Sequence, residues 1–586
     1  MKKKLLTFLC SAMLVAALLV GVSGCSMSEE ERTADCYNGR FVGEQEKDTG
    51  VLSFKGIPYA KQPTGERRWK APEAVAKSDS TKKADKFGHS SIQYEWHSEP
   101  ASSHSIGEDC LTLNVWTKDL EGSDKPIMFY VHGGGFAWGG TADPLYNGQY
   151  IVDEHSDVIV ISANYRVGMM GLADLSKVPD GSKYKASDFK DSTNLQLLDL
   201  QQALRWVKQN AKAFGGDADN ITIFGESAGG ALVSQLMASP SSKGLFQRVI
   251  AESGSLNLSY DQADYDDWAV TEQFMQASGA KNMDDLMAMA EKDLIKYYTT
   301  YIKQDNGEET CVNDSYNMPL RGGSVLPKDP YKVLADGAGS DVDFMVGTNA
   351  DEWRYWINEM GEKEMSEMSE KEIKQDVLAY KVNITDTKYQ EAVDALYQNG
   401  YASSRKAAKD EIDKYLDTVK VGKADYFDYL KGDTEEQMWK RTELANEDGF
   451  AQPSVQTAQA HIQGVKKTGG KGKTYMYYFG KRSDNFPFIG ACHATELAYV
   501  FHNIDETIFS GTVSKKLAGQ MCEAWVNFAK TGDPSTDDNT WDPYTLKSHD
   551  TMYITNKNKM KMKTTRNSAR LKTNETLKNL AACYLK

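Results

Sequence analysis

The chain is poor in the features that mark several protein classes. Its 8 cysteines include no CxxC pair, which argues against a zinc ribbon or an iron–sulfur centre. No segment repeats with a period of about 20–50 residues, so a solenoid is not indicated. It lacks an excess of basic charge: 68 Lys and Arg stand against 83 Asp and Glu, a formal net charge of −15. Nonspecific nucleic-acid binding relies on basic patches and is therefore not expected. Beyond the N-terminus no long apolar run occurs, and the mean hydropathy is −0.55, too polar for a polytopic membrane protein. Charged residues are 26 % and hydrophobic residues 40 % of the 586, so the chain is not broadly disordered either. What remains is a large globular body with something attached to its front.

That attachment opens Met1-Lys2-Lys3-Lys4 and runs almost wholly apolar from Leu5 to Val22. A basic start before an apolar run is an export signal. The alternative is an uncleaved single anchor, since the run is nearly long enough to span a bilayer. Val22-Ser23-Gly24-Cys25 resembles the lipobox of bacterial lipoproteins, which implies cleavage before Cys25 and lipidation of its thiol. Residues 1–24 are thus expected to be a signal peptide and 25–35 a lipidated tether, leaving 36–586 as one domain. Removing 1–24 leaves 65 basic and 83 acidic residues, a formal charge of −18. The expected location is extracytoplasmic, lipid-anchored to a bacterial membrane.

The first half of the body alternates strand and helix patterns. Ile127–Val131 and Val158–Ser162 are continuous apolar runs, as suits parallel strands buried on both faces. Leu197, Leu200, Leu204 and Val207 recur at helical spacing from about Asn194 to Phe214, and Gly215-Gly216-Asp217 stops that helix. Ile221-Thr222-Ile223-Phe224 then reads as a strand, with a glycine turn and another helix after it. Strand candidates recur at Asp343–Gly347 and Tyr475–Phe479. The pattern predicts a doubly wound α/β domain, with insertions at about 255–335 and 355–470 forming a helical cap.

Gly225-Glu226-Ser227-Ala228-Gly229 sits between that strand and helix. The turn leaves little room for side chains beside the serine, and glycines relieve the crowding. The Ser227 hydroxyl is then presented near a helix N-terminus, where N–H groups favour developing negative charge. His132-Gly133-Gly134-Gly135-Phe136 ends the Ile127–Val131 strand and offers bare backbone N–H groups to a ligand. A phosphate cradle is unsupported, because no GKS or GKT follows. An oxyanion hole beside a nucleophile needs such a loop.

With these motifs the chain resembles the type-B carboxylesterases, the α/β-hydrolase group that includes cholinesterases, bile-salt-activated lipase and bacterial and fungal carboxylesterases. Phe54–Ala60, Glu108–Val115, Asn164-Tyr165-Arg166, Phe214–Asp217 and Ser253-Gly254-Ser255 extend the resemblance over roughly residues 36–575. It implies an α/β-hydrolase fold, a mostly parallel central sheet flanked by helices with large cap insertions. It also implies a catalytic triad of Ser227, Glu352 and His493, an oxyanion hole from the N–H groups of Gly134, Gly135 and Ala228, and supporting roles for Glu226 and Ser253. Asp351 is the alternative acid and His502 the alternative base. Ala494 replaces the glycine that usually follows the family's histidine. His132 is expected to stabilise its loop. His461 and His549, in polar surroundings, are expected at the surface.

Phe136 and Trp138 are candidates to line the acyl side, with core packing as the other reading. Trp353, Tyr355, Trp356, Phe486 and Phe488 are candidates for an aromatic gorge or for simple cap burial. The family commonly bridges the cysteine of the Glu108–Val115 segment to one upstream. Here only Cys36 is available, and a free, buried Cys110 is preferred to a Cys36–Cys110 bridge. No cofactor or metal is expected, and the implied partner is a small-molecule ester. A monomer or weak homo-oligomer is expected. The implied function is hydrolysis of small to medium acyl or aryl esters. A lipase, a feruloyl-type esterase and a non-catalytic adhesion-like relative are the alternatives.

Overall fold

The computed structural model describes residues 27–93, 105–261, 268–298, 301–303, 309–311, 318–355, 404–410, 446–484, 490–504 and 512–564. Residues 1–24, Cys25, Trp356, Phe486 and Phe488 lie outside them.

Among the described residues eleven strands form the main sheet, here numbered in chain order: β1 Glu44–Gln45, β2 Leu52–Pro58, β3 Thr112–Thr117, β4 Lys125–Val131, β5 Ile159–Ala163 and β6 Gly216–Glu226. They continue with β7 Arg248–Glu252, β8 Asp343–Asn349, β9 Thr474–Phe479, β10 Asp550–Thr555 and β11 Lys559–Thr564. The spatial order is β11-β10-β9-β8-β7-β6-β4-β5-β3-β2-β1. From β5 to β10 the neighbours run parallel. At both edges they turn antiparallel, so the sheet is mixed around a parallel centre. The central strands are the apolar runs of the sequence. Ile127–Val131, Ile159–Ala163 and Ile221–Glu226 are buried along their whole length, because helices cover both faces.

Helix α1 (Leu195–Asn210) and α2 (Ala228–Ala238) pack one face. Leu197, Leu200, Leu204 and Val207 all enter that core layer. The opposite face takes Leu517, Met521, Trp525 and Phe528 of a long C-terminal helix, Lys515–Thr531, against Tyr475 and Tyr477. In the first insertion, helices Trp268–Ser278, Met283–Ala288 and Glu291–Tyr298 contribute to a third cluster with Trp69, Met169 and Met170.

Most of the second insertion lies outside the described residues. Its last part is packed into the body rather than lying over it. Helix α3 (Gln452–Thr468) turns Ser454, Thr457, His461 and Gly464 into the protein and packs against Pro330–Ala335. His461, expected at the surface, is fully buried. Its Nε2 donates to Gly339 O at 3.1 Å, and its Nδ1 lies 2.8 Å from Thr474 Oγ1. Short helix α4 (Leu497–Val500) precedes the C-terminal helix, here α5.

Cys36, Cys110, Cys492 and Cys522 are free thiols, and a Cys36–Cys110 bridge is not formed. Burial pushes the Cys110 thiol up to about 12. Among the described residues no helix is long and apolar enough to cross a membrane.

Candidate active site

The motif residues lie at the carboxyl ends of neighbouring parallel strands, where an open α/β sheet gathers ligands. The glycine loop follows β4, Ser227 follows β6, Ser253 follows β7, Glu352 follows β8, and the His493 loop follows β9.

Ser227 is the N-cap of α2, with φ 60 and ψ −124. Such a conformation is rare for a residue with a Cβ and persists only when its surroundings enforce it. Two hydrogen bonds do so: Ser227 N donates to Glu252 O at 2.8 Å, and Ser227 O accepts from Ala231 N at 2.9 Å. The turn also needs close backbone approach. A Cβ on Gly229 would fall 2.0 Å from Val131 O. On Gly133 it would lie 3.1 Å from Ser227 Cβ, so the glycine loop rests directly on the elbow. Gly134 and Gly135 take positive φ, and Ala228 opens α2, so these expected oxyanion donors border the same turn.

His132 stabilises the loop as expected. Its Nδ1 donates to Gly133 O at 2.9 Å, its ring stacks on Tyr165 at 4.3 Å, and its carbonyl accepts from Tyr165 Oη at 2.7 Å. Phe136 belongs to the main core, which favours the packing reading for it.

Glu352 is fully buried and binds the imidazole of His493 through Oε2, 2.6 Å from Nδ1. Its Oε1 accepts from Ser253 Oγ and from Asn349 N, both at 2.6 Å. Every lone-pair direction that matters is therefore occupied, and the carboxylate cannot swing away from the ring. On the other side of the ring, Nε2 lies 3.1 Å from Glu226 Oε1. Among the described residues Ser227 Oγ makes no hydrogen bond in this geometry; Nε2 faces the neighbouring Glu226 instead. Catalytic hydrogen bonds are often long before substrate binds.

Asp351 does not touch the imidazole. Its Oδ2 accepts from Ala491 N at 2.9 Å, and Arg354 Nη2 lies 3.0 Å from Oδ1. Asn349 Nδ2 donates to Cys492 O at 2.8 Å and also binds Glu496. His493 N donates to Glu352 O at 3.3 Å. The acid loop and the histidine loop are thus stitched together residue by residue. His502 lies at the end of α4 with Nδ1 3.6 Å from Glu154 Oε1, and its contacts are not with the serine elbow.

Aromatic rings border the imidazole. Tyr355 is 5.8 Å from His493 between centroids, and Phe450 is 5.1 Å away. Trp353 packs on Phe450 at 6.3 Å. Phe450 was not legible in the sequence. It sits in a charged stretch without periodicity and arrives here because Asn446 binds the acid loop. Trp353 N donates to Asn446 Oδ1 at 2.7 Å, and Asn446 Nδ2 donates to Ala350 O at 3.1 Å.

Buried carboxyls set the local electrostatics. Burial, then the nearby charges of Glu352 and Glu252, raise Glu226 well above the usual carboxylate range, although Ala494 N–H opposes this. Burial raises Glu496 in the same way and Glu252 to about 8. Among the described residues no group of three His, Cys, Asp or Glu side chains is placed to hold a metal ion. The arrangement holds a serine, a histidine fixed by a carboxylate, and backbone donors at a helix N-terminus, which is the equipment for acyl transfer.

The chain is similar to known proteins over most of its length. The family model described as the carboxylesterase family matches residues 30–573. The chain is 31% identical over 523 residues to the para-nitrobenzyl esterase of Bacillus subtilis (strain 168), covering 86% of this chain and 92% of that one. It is 30% identical over 527 residues to the bile salt-activated lipase of Bos taurus, covering 86% and 79%. Among solved structures, a thermophilic PNB esterase matches with a TM-score of 0.70 and 28% identity, covering 93% of this chain and all of that one.

Proposed function

As the chain belongs to the carboxylesterase family, and is thereby a serine hydrolase of ester substrates, we propose that it cleaves small to medium acyl or aryl esters through an acyl-enzyme on Ser227. His493 removes the serine proton as Oγ attacks the ester carbonyl, and later returns it to the leaving alcohol. Glu352 holds the imidazole and stabilises its protonated form. The N–H groups of Gly134, Gly135 and Ala228 receive the oxyanion. Water activated by His493 then releases the acid.

The observation that carries this reading is the Glu352–His493 hydrogen bond at 2.6 Å beside the strained Ser227 elbow. The substrate range is inferred from the rings of Tyr355 and Phe450 crowding the imidazole, which leaves an aromatic-lined approach. A series of p-nitrophenyl esters of increasing acyl length, with methyl ferulate beside it, tests the range. Turnover of acetate and butyrate supports the proposal. Turnover of long acyl chains alone would move the assignment to a lipase, and of ferulate alone to a feruloyl esterase.

We further propose that the enzyme is held at a bacterial membrane by lipid on Cys25, on the strength of the Val22–Cys25 motif behind an apolar leader. Mass analysis of detergent-extracted protein decides this; an unmodified Cys25 would overturn it.

A further inference from the structure

The reaction accounts for one glutamate at the imidazole, Glu352, yet others crowd the same end of the sheet. Glu226, Glu252, Gly347 and Tyr477 stand in one register row across β6, β7, β8 and β9. In-register residues of neighbouring parallel strands point to the same face, about 4.8 Å apart. Glu226 and Glu252 therefore project side by side. Gly347 adds no side chain to the row, and a Cβ there would fall 2.3 Å from the Tyr477 ring, so that ring fills the gap.

Glu252 is fully buried, and its Oε1 accepts from Trp525 Nε1 of α5 at 2.9 Å. Its Oε2 has no hydrogen-bond partner among the described residues. The same holds for Glu496 Oε1 and the hydroxyls of Tyr130 and Tyr477, while Glu226 Oε1 has only the approach of His493 Nε2 at 3.1 Å. Buried polar atoms are rarely left so, and several at one place mark a wet, hydrogen-bonded pocket rather than apolar core. The groups facing Glu252 are Glu226 on β6, Tyr130 on β4, Tyr477 on β9 and Trp525 on α5, with Glu496 ahead of α4 and Glu352 beyond. No cation among the described residues forms an ion pair with it. Two anionic carboxylates side by side in this setting would repel; a neutral acid instead gives one carboxyl of the pair an O–H with which to donate to the other.

We propose that Glu252 is a positioning residue of the active site: as a neutral acid it donates a hydrogen bond across the row to Glu226 and holds that carboxyl against His493. Buried water completes the remaining partners. The inference rests on the reading of His493 as the base. Burial that lifts Glu252 to about 8 keeps it protonated at neutral pH. Once it ionises, donation gives way to repulsion and the Glu226 carboxyl loses its hold.

The test is kcat/KM for p-nitrophenyl acetate from about pH 6 to about pH 9 in wild type and Glu252→Gln, alongside labelling of Ser227 by a fluorophosphonate. The amide keeps an N–H donor and cannot ionise. Wild type should lose about tenfold in kcat/KM across an ionisation near pH 8, the loss of one hydrogen bond in the site. E252Q should stay within about threefold of wild type at neutral pH and lack that limb. An E252Q profile with the wild-type limb and midpoint would overturn the proposal. Infrared titration of the wild-type protein gives a second readout that needs no variant. A carboxylic-acid C=O band should disappear over the same range, and a protein without such a titrating band would contradict the assignment. Failure of Ser227 to label would instead fault the triad; a labelled, active enzyme with an unchanged E252Q profile faults Glu252 alone.

Discussion

Asp351 and Ala491 grip each other in both directions: Asp351 N donates to Ala491 O, and Ala491 N donates to Asp351 Oδ2, each at 2.9 Å. One residue past Asp351 is Glu352, and two past Ala491 is His493. The clamp therefore fixes the spacing between the carboxylate and the imidazole without touching either side chain.

It follows that neighbouring carboxylates should give different losses. Glu352→Gln removes the partner of Nδ1 and should lower kcat by ~10³–10⁴-fold. Asp351→Asn loosens one clamp bond and displaces the ring slightly, costing about 10–100-fold. Steady-state kinetics of both variants on p-nitrophenyl butyrate check the order; D351N as damaging as E352Q would show that Asp351 does more than clamp.

Ala494 follows the base with φ 64, in the left-handed region that disfavours a side chain. Ala494→Gly should relieve this and stabilise the fold by about 1 kcal/mol, with kcat little changed. Chemical denaturation measures it. Destabilisation of that size would mean that the looser glycine chain outweighs the strain.

Phe450 packs 5.1 Å from the imidazole and narrows the approach to it. Phe450→Ala should open that side and raise the ratio of hexanoate to acetate kcat/KM by about tenfold or more. An unchanged ratio would place the acyl chain elsewhere.

His461 contributes to the pH dependence of stability. Burial lowers its pKa to about 4, below the ordinary 6.5. Between these values the unfolded chain is protonated and the folded one is not, so the unfolded state binds more protons. Its contribution is therefore fully present above pH 6.5 and is lost as pH falls towards 4, by about 1 kcal/mol per pH unit. His461→Gln should flatten this part of the stability profile. A variant with the wild-type slope would assign the acid loss to other groups.

How far the sequence reveals this protein depends on the kind of constraint. The Ser227 elbow and the Gly133–Gly135 loop are legible because their backbone geometry admits few residue types. The central strands are legible because burial on both faces demands unbroken apolar runs. Glu226 beside Glu252 is not, since their adjacency arises from the register of two strands separated by a helix. Phe450 depends on Asn446 reaching the acid loop from far along the chain. His461 looked exposed among Gln and Lys, but the small residues Thr457 and Gly464 share its helix face and turn it inward. Glu352 and His493 carried no local signal that separated them from other acids and histidines; the resemblance supplied them, and the 2.6 Å contact now joins them.

Everything in the proposed reaction turns on Ser227 as the nucleophile. Treatment with a fluorophosphonate followed by peptide mass mapping tests it most directly. One adduct is expected, on Ser227, formed in step with loss of esterase activity. Activity lost with the adduct on another residue, or retained with Ser227 fully modified, would contradict it.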